Sequence, residues 1–502
     1  MAEREWREAT DLKPATVWLA VTLVVATVLR CWAPGHGIPF AVTDQEASLA
    51  RHVLDIMRSG DYNPHAVDLP GFAYWLHLPV ACARFLVGAI RGEWTSLAGV
   101  SADALLPWAR LWTASLGVVT VVLVHQVGMR WGARHALLAA GLLAVLPPHV
   151  AASHHATSAV PLTLFTTLTF LLSLSAHERA TPRGFALAGA AAGLATATDY
   201  AGVLALSIPL VAAWMTYPGR PSRVSYVLAG VGAAAVAYLV AAPYTLLDLP
   251  GFLNGFGAFA SAFRARPALP TRTWLAYLVA LQRALGWPAL ILLFAGLTMG
   301  IVRSIKGPGR VRWTLLVVFP VLVYVIVSRR GAPDQGALLP ALPLATVLAA
   351  TAVISGVSLL RRFSIPRAPR TALITALTVA ALLPPFVSAA KYVRGLRRPT
   401  TAAAAWQWIT HYVATDRKIA VEGALLRVPE DRYPVVRVRH LTDHSEADYR
   451  GMGVSLLVGG PRQAAAEPGP RTGTLPASAH ELVHFAPEKN RPGPEVIIYE
   501  LR

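Results

Sequence analysis

The stretch TDQEASLARHVLDIMRSGDYNP, residues 43–64, places Asp44, Glu46, Asp55 and Asp61 together in a chain where 14% of residues are charged. A carboxylate within hydrogen-bond reach of a hydroxyl can take its proton in a transition state, so Asp44 and Glu46 are candidate general bases. Their structural alternatives are plain. Asp44 can cap a helix beginning near Gln45, and Glu46 can favour the same terminus from a solvated face. Further along, His154 and His155 in SHHAT can bind an anion, or mark the end of a helix. Arg110 in LPWARLWTASLG can pair with a phosphate or snorkel to headgroups. Asp199 stands between two apolar runs, where a carboxylate deep in lipid is expected to be functional and one at a turn simply solvated. Tyr244 and Asp248 in PYTLLD, and His65 beside Asn63 and Pro64, complete the polar set, each with a turn-forming alternative.

What must position these residues is a membrane. The chain has 502 residues, 55% of them hydrophobic, with a mean hydropathy of +0.48. Long apolar runs recur, and a helix of about 20 residues spans the hydrocarbon core. Candidate spans lie at about 14–33, 106–128, 134–152, 159–176, 184–199, 201–216, 224–243, 287–302, 313–328, 337–360 and 371–390, about eleven crossings in all. The stretch from Phe72 to Ile90 is a twelfth span or a helix lying in the interface. The N-terminal run has no clear cleavage site and reads as an anchor. Cys31 and Cys82 sit in apolar surroundings and suggest neither disulfide nor thiolate metal site.

The net charge of +18 does not imply nucleic acid, because the arginines cluster in short loops between apolar runs. With a cytoplasmic N-terminus, the inner loops hold Arg130/Arg134, Arg179/Arg183, Arg220/Arg223, Arg303/Lys306/Arg310/Arg312 and Arg361/Arg362/Arg367/Arg370. The alternate loops near 153–158 and 199–201 carry no Lys or Arg, and Arg329/Arg330 is the exception. This frame puts Asp44, Glu46, His65, His154, His155, Tyr244 and Asp248 on the extracytoplasmic side, where a site for a membrane-borne substrate would open. Composition divides the chain into a transmembrane domain, 1–390, with an outer loop at 34–105, and a small extracytoplasmic α/β domain, 391–502. The second opens on an amphipathic helix in KYVRGLRRPTTAAAAWQWITHYVAT, followed by strands in KIAVEG, VSLLVGG and EVIIYELR.

The collinear order of D-x-E, GDYNP, LPGFAYWL, PPHVAASHHATSAVPLTLF, GLATATDYAG and APYTLLD resembles the GT-C superfamily of membrane glycosyltransferases. Within it, the closest branch contains protein mannosyltransferases and aminoarabinose transferases. The tail YRGMGVSLLVGG … RPGPEVIIYELR is similar to the C-terminal domain of bacterial members. The resemblance implies an α-helical polytopic protein of about 11–12 transmembrane helices in a bacterial plasma membrane. It implies inverting transfer of a sugar from a polyprenyl phosphate to an extracytoplasmic hydroxyl on a glycan, lipid or protein. Asp44 would be the base, with Glu46 the second candidate; read from residue type and position, Arg110, His154, His155, Asp199, Tyr244, Asp248 and His65 are the candidate substrate-binding residues. No cofactor is required, and a divalent metal held by the histidines and Asp44 is the alternative.

Four motifs depart from the family pattern. Gln45 follows Asp44 where the family has Glu, and Ser158-Ala159 replaces the second acidic residue. Asp199 stands for the usual lysine, and Gly336-Ala337 for the usual Arg-Tyr. These substitutions motivate a second expectation, a non-catalytic homologue that binds lipid-linked sugar or scaffolds an envelope complex. A transporter ranks below both, because the polar residues gather at one face instead of in mid-helix.

Overall fold

The computed structural model describes residues 2–40, 42–216, 223–264, 273–307, 309–329, 336–359 and 366–423, and from 425 to 501 all but 427, 429–431, 461–474, 477, 489, 490 and 492. Arg220, Arg330, Arg361 and Arg362 of the charge pattern lie outside the described residues. The chain forms two compact units. One comprises Met1–Pro34 and Leu49–Tyr392, the other Gly35–Ser48 and Val393–Arg502.

The first unit is helical. Its elements are α1 (Ala2–Cys31), α2 (Asp44–Ser59, whose first turn belongs to the other unit), α3 (Gly71–Trp75), α4 (Leu78–Ile90), α5 (Ala102–Gly128), α6 (Ala133–Val145), α7 (Pro147–Ala152), α8 (Ala159–Arg179) and α9 (Pro182–Thr198). There follow a 3-10 turn at Tyr200–Leu206, α10 (Ser207–Met215), α11 (Arg223–Ala241), α12 (Tyr244–Leu247), α13 (Leu249–Arg264), α14 (Thr273–Ile305), α15 (Arg310–Val327), α16 (Leu342–Leu359) and α17 (Arg367–Gly395). Among the described residues eight helices are long and apolar enough to cross a membrane, nine if the bent pair α6–α7 is one span. The protein is an integral membrane protein. The expected spans at 14–33 and 201–216 fall on shorter apolar helices, and 184–199 falls on α9. The span expected at 287–302 is only the second half of α14, which kinks at Gly286 (φ +73°) just before Pro288. Gln282 and Arg283 hid the first half from a hydropathy reading.

Packing inside the bilayer follows membrane rules. Hydroxyls on α8 satisfy themselves on their own backbone: Thr163, Thr167, Thr169 and Ser173 each donate to the carbonyl four residues earlier at 2.7–2.8 Å. The α9–α11 contact relies on small residues, since a Cβ at Gly189 or Gly193 would collide with the carbonyls of Gly230 and Ala234. Loop ends sort onto two faces. Arg130 after α5 pairs with Glu178 at the end of α8, and Arg312 at the start of α15 donates to the Arg130 carbonyl at 2.7 Å. At the other end Ser158 donates to Asp199 at 2.9 Å and Asn63 to Asp248 at 3.0 Å.

The second unit carries α18 (Thr401–Tyr412), α19 (Glu446–Gly451) and a five-stranded sheet: β1 (Lys418–Glu422), β2 (Val435–Val438), β3 (Val454–Gly459), β4 (Ala479–Phe485) and β5 (Val496–Leu501). Strand order is β2-β1-β3-β5-β4, parallel across β2-β1-β3 and antiparallel beyond. Ile419 and Val421 pack with Trp406 and Ile409 of α18, while Ala420 between them packs with Tyr449 of α19, as a two-residue period requires. The single amphipathic helix expected over 391–415 is two helices. α17 ends at Gly395, Pro399 cannot continue it, and the Thr400 hydroxyl caps α18 by accepting from the Ala403 N–H at 3.1 Å.

Candidate active site

In the second unit, α2 begins one residue earlier than expected and its cap is Thr43, not Asp44. The Thr43 carbonyl takes the Ala47 N–H at 3.0 Å and its hydroxyl takes the Glu46 N–H at 3.3 Å. A Thr-x-x-Glu spacing favours this geometry. Asp44 is thereby freed from capping and is exposed in the first helical turn. Glu46 is the reverse of the solvated residue expected: it is 0% exposed and accepts from the Thr43 hydroxyl at 3.2 Å.

In the first unit the remaining candidates fall into two groups. His65, Tyr244 and Asp248 line a cleft of about 200 Å³ with Asn63, Tyr200 and Phe252. Asp248 also receives the Gly251 N–H at 3.2 Å at the start of α13, so part of its role is structural. His65 bonds Asp61 at 2.8 Å. Hydrogen bonds from the Asn63 N–H and from His65 hold the Asp61 carboxyl below its usual range. Asp199 is a cap: it accepts from the Ala201 N–H at 2.9 Å and from Ser158, at the turn between α9 and the following 3-10 segment.

The second group joins one buried guanidinium to two histidines. Arg110 on α5 is 1% exposed and donates to the Pro34 carbonyl at 2.9 Å. A guanidinium withdrawn from water within an apolar helix makes Arg110 a candidate for function. His154 and His155 follow α7. His154 is buried, His155 half-buried, and the His154 ring meets Tyr392 edge-on at 5.6 Å. His154 Nδ1 lies 2.9 Å from the Val150 carbonyl and must donate to it, which leaves Nε2 as the acceptor of a neutral ring. Burial pushes the His154 pKa down to about 4, and the charges of His155, Arg30 and Arg110 add to that against the opposing Val150 bond. His154 Nε2 is therefore chemically an acceptor, and Arg110 is the fixed positive charge of this group.

A pH prediction follows. The unfolded ring binds a proton below about 6.5 and the folded ring does not until about 4, so stability from His154 is complete above about 6.5 and lost as pH falls toward 4. Its share is on the order of 3 kcal/mol. Thermal unfolding of the wild type and His154→Gln at pH 7.5 and pH 4.5 is expected to show a smaller acid loss in the variant.

Arg30 and His149 were not singled out by sequence reasoning. Arg30 is a lone charge closing an apolar run, and His149 follows a proline pair; both are fully or nearly fully buried. An ionisable residue inside a span was the available signal. Among the described residues no three His, Cys, Asp or Glu side chains stand where they could share a metal ion.

Comparison with known proteins bears on this arrangement. Residues 90–246 match the family model of dolichyl-phosphate-mannose-protein mannosyltransferases, a segment holding Arg110, His154, His155, Asp199 and Tyr244. An oligosaccharyltransferase from Archaeoglobus fulgidus superposes with a TM-score of 0.59 at 12% identity, over 89% of this chain and 69% of that one. ArnT from Cupriavidus metallidurans, solved bound to undecaprenyl phosphate, superposes with a TM-score of 0.54 at 17% identity, over 97% and 98%. The chain has the GT-C fold. Near-complete coverage of ArnT extends the GT-C likeness through the C-terminal sheet as well as the helices. A comparison with curated protein sequences gives no match.

Proposed function

We propose that this GT-C protein is an inverting glycosyltransferase that moves a sugar from a polyprenyl-phosphate donor to a hydroxyl on a glycan, lipid or protein. The observation that carries the reading is the buried Arg110 beside a neutral, hydrogen-bond-accepting His154 on this fold. A polyprenyl phosphodiester bears one negative charge in the ground state, and its departure as a monoester develops a second. A fixed guanidinium in a dry site favours that change. His154 Nε2 would orient a donor hydroxyl. Asp44 is the proposed base, taking the acceptor proton while the anomeric carbon is attacked opposite the phosphate. The reaction as proposed needs no cofactor. The distribution of Lys and Arg supports a cytoplasmic N-terminus and a site on the other side of a bacterial plasma membrane. ArnT, solved with undecaprenyl phosphate, and AglB, solved with a dolichol-phosphate and an inhibitory peptide, lend the donor class.

A second reading, binding of lipid-linked sugar without turnover, draws on the Ser158–Asp199 hydrogen bond. Those two positions depart from the family pattern and here serve each other. Protein reconstituted in nanodiscs with a panel of radiolabelled polyprenyl-phosphate sugars separates the readings. Release of free polyprenyl phosphate is expected for at least one sugar. Saturable binding with no release favours the second reading, and neither binding nor release contradicts both.

A further inference from the structure

The bend between α6 and α7 is made by two prolines and held by one arginine. In a continuous helix the carbonyls of Leu143 and Ala144 would accept the N–H groups of residues 147 and 148. Both are prolines and have none. Leu146 turns extended (φ −70°, ψ 113°) and the axis bends by 59°. Arg30 fills the gap from α1. Its Nη2 donates to Leu143 O at 2.9 Å and its Nη1 to Ala144 O at 2.8 Å. Nη1 also reaches Ala26 O at 3.2 Å, and no carboxylate among the described residues pairs with this guanidinium. Nη2 further donates to His149 Nδ1 at 3.0 Å, so that ring carries its proton on Nε2. Gly117 leaves the necessary room. A Cβ there would stand 2.6 Å from Ser153 Oγ and 3.2 Å from Arg30 Cδ.

We propose that Arg30 is a positioning residue: by fixing the α6–α7 bend it sets where the 153–158 loop presents His154 and His155. The inference rests on the transferase reading for its consequence in turnover. α7 has six residues and is roughly 9 Å long, so straightening a bend of this size would swing the loop by a comparable distance. Such a displacement far exceeds what a reacting group tolerates.

The test compares Arg30→Lys, Arg30→Met, and Arg30→Met combined with Pro147→Ala and Pro148→Ala, all in nanodiscs. Arg30→Met strips the guanidinium donors from two buried carbonyls, leaving Leu143 O with the long Leu146 N–H bond at 3.3 Å, and is expected to unfold at lower temperature, with Arg30→Lys between it and the wild type. The triple variant regains the backbone N–H groups and is expected to recover thermal stability. Its kcat should stay at least about tenfold down, because the helix straightens. Recovery of turnover together with stability would reduce Arg30 to a purely structural residue and overturn the proposal. So would an Arg30→Met protein with wild-type stability and turnover. A cysteine probe (His155→Cys in a Cys31→Ser, Cys82→Ser background) reads the loop independently. Its labelling rate should change in the triple variant by about tenfold, and an unchanged rate overturns the positioning role. If the wild type turns over no lipid-linked sugar, the transferase reading fails while this labelling still decides the bend.

Discussion

Arg110→Gln is expected to lower kcat/KM for a lipid-linked sugar by roughly 30- to 1,000-fold, the effect of about 2–4 kcal/mol when a buried charge loses its partner. Glutamine ends two bonds short of the Nη1 that donates to the Pro34 carbonyl, so the variant's melting temperature is read beside its kinetics. What disappears is the charge. The donor carries one negative charge when bound and two when its phosphate leaves, so in the proposed reaction Arg110 would act on the ground state and more strongly on the transition state. Loss should therefore raise KM and also lower kcat. Arg110→Lys should recover part of the rate, since an ammonium supplies charge without the planar fork. Steady-state kinetics in nanodiscs checks this, and a variant within twofold of the wild type would remove Arg110 from the site.

Asp44→Asn is expected to reduce kcat by about 10²- to 10⁴-fold, the usual span for loss of a general base. Asparagine matches aspartate in shape and is equally at home in a first helical turn, and the cap belongs to Thr43. Thermal stability should thus stay within about 0.5 kcal/mol. Glu46→Gln makes the informative contrast. Glu46 is 0% exposed and tied to the Thr43 hydroxyl, so its change is expected to lower stability by about 1–3 kcal/mol and turnover only in proportion to folded protein. Full activity in Asp44→Asn, with none in well-folded Glu46→Gln, would transfer the base to Glu46.

How far the sequence was legible depends on the kind of signal. Long apolar runs located most of the long helices, because transfer energies act residue by residue. The edges of the C-terminal sheet were harder. β4 reads AHELVHF, with polar side chains exposed along it, and β2 is only four residues long; neither stands out as an apolar run. Of the candidate site residues, Arg110 and His154 are buried, whereas Asp199 caps the turn after α9. No local pattern distinguishes these outcomes, since each depends on what lies across the fold. Arg30 shows this most clearly. Its partners are carbonyls 113 and 114 residues away, exposed only because two prolines interrupt a different helix.

The proposed function requires buried Arg110 to meet the phosphate of a lipid-linked donor. Native mass spectrometry of the purified protein titrated with undecaprenyl phosphate, and with undecaprenol as the uncharged control, tests it most directly. The account predicts saturable binding of the phosphate, little binding of the alcohol, and an affinity at least about tenfold weaker in Arg110→Gln. Equal binding of phosphate and alcohol, or an Arg110→Gln protein that binds the phosphate as the wild type does, would contradict it.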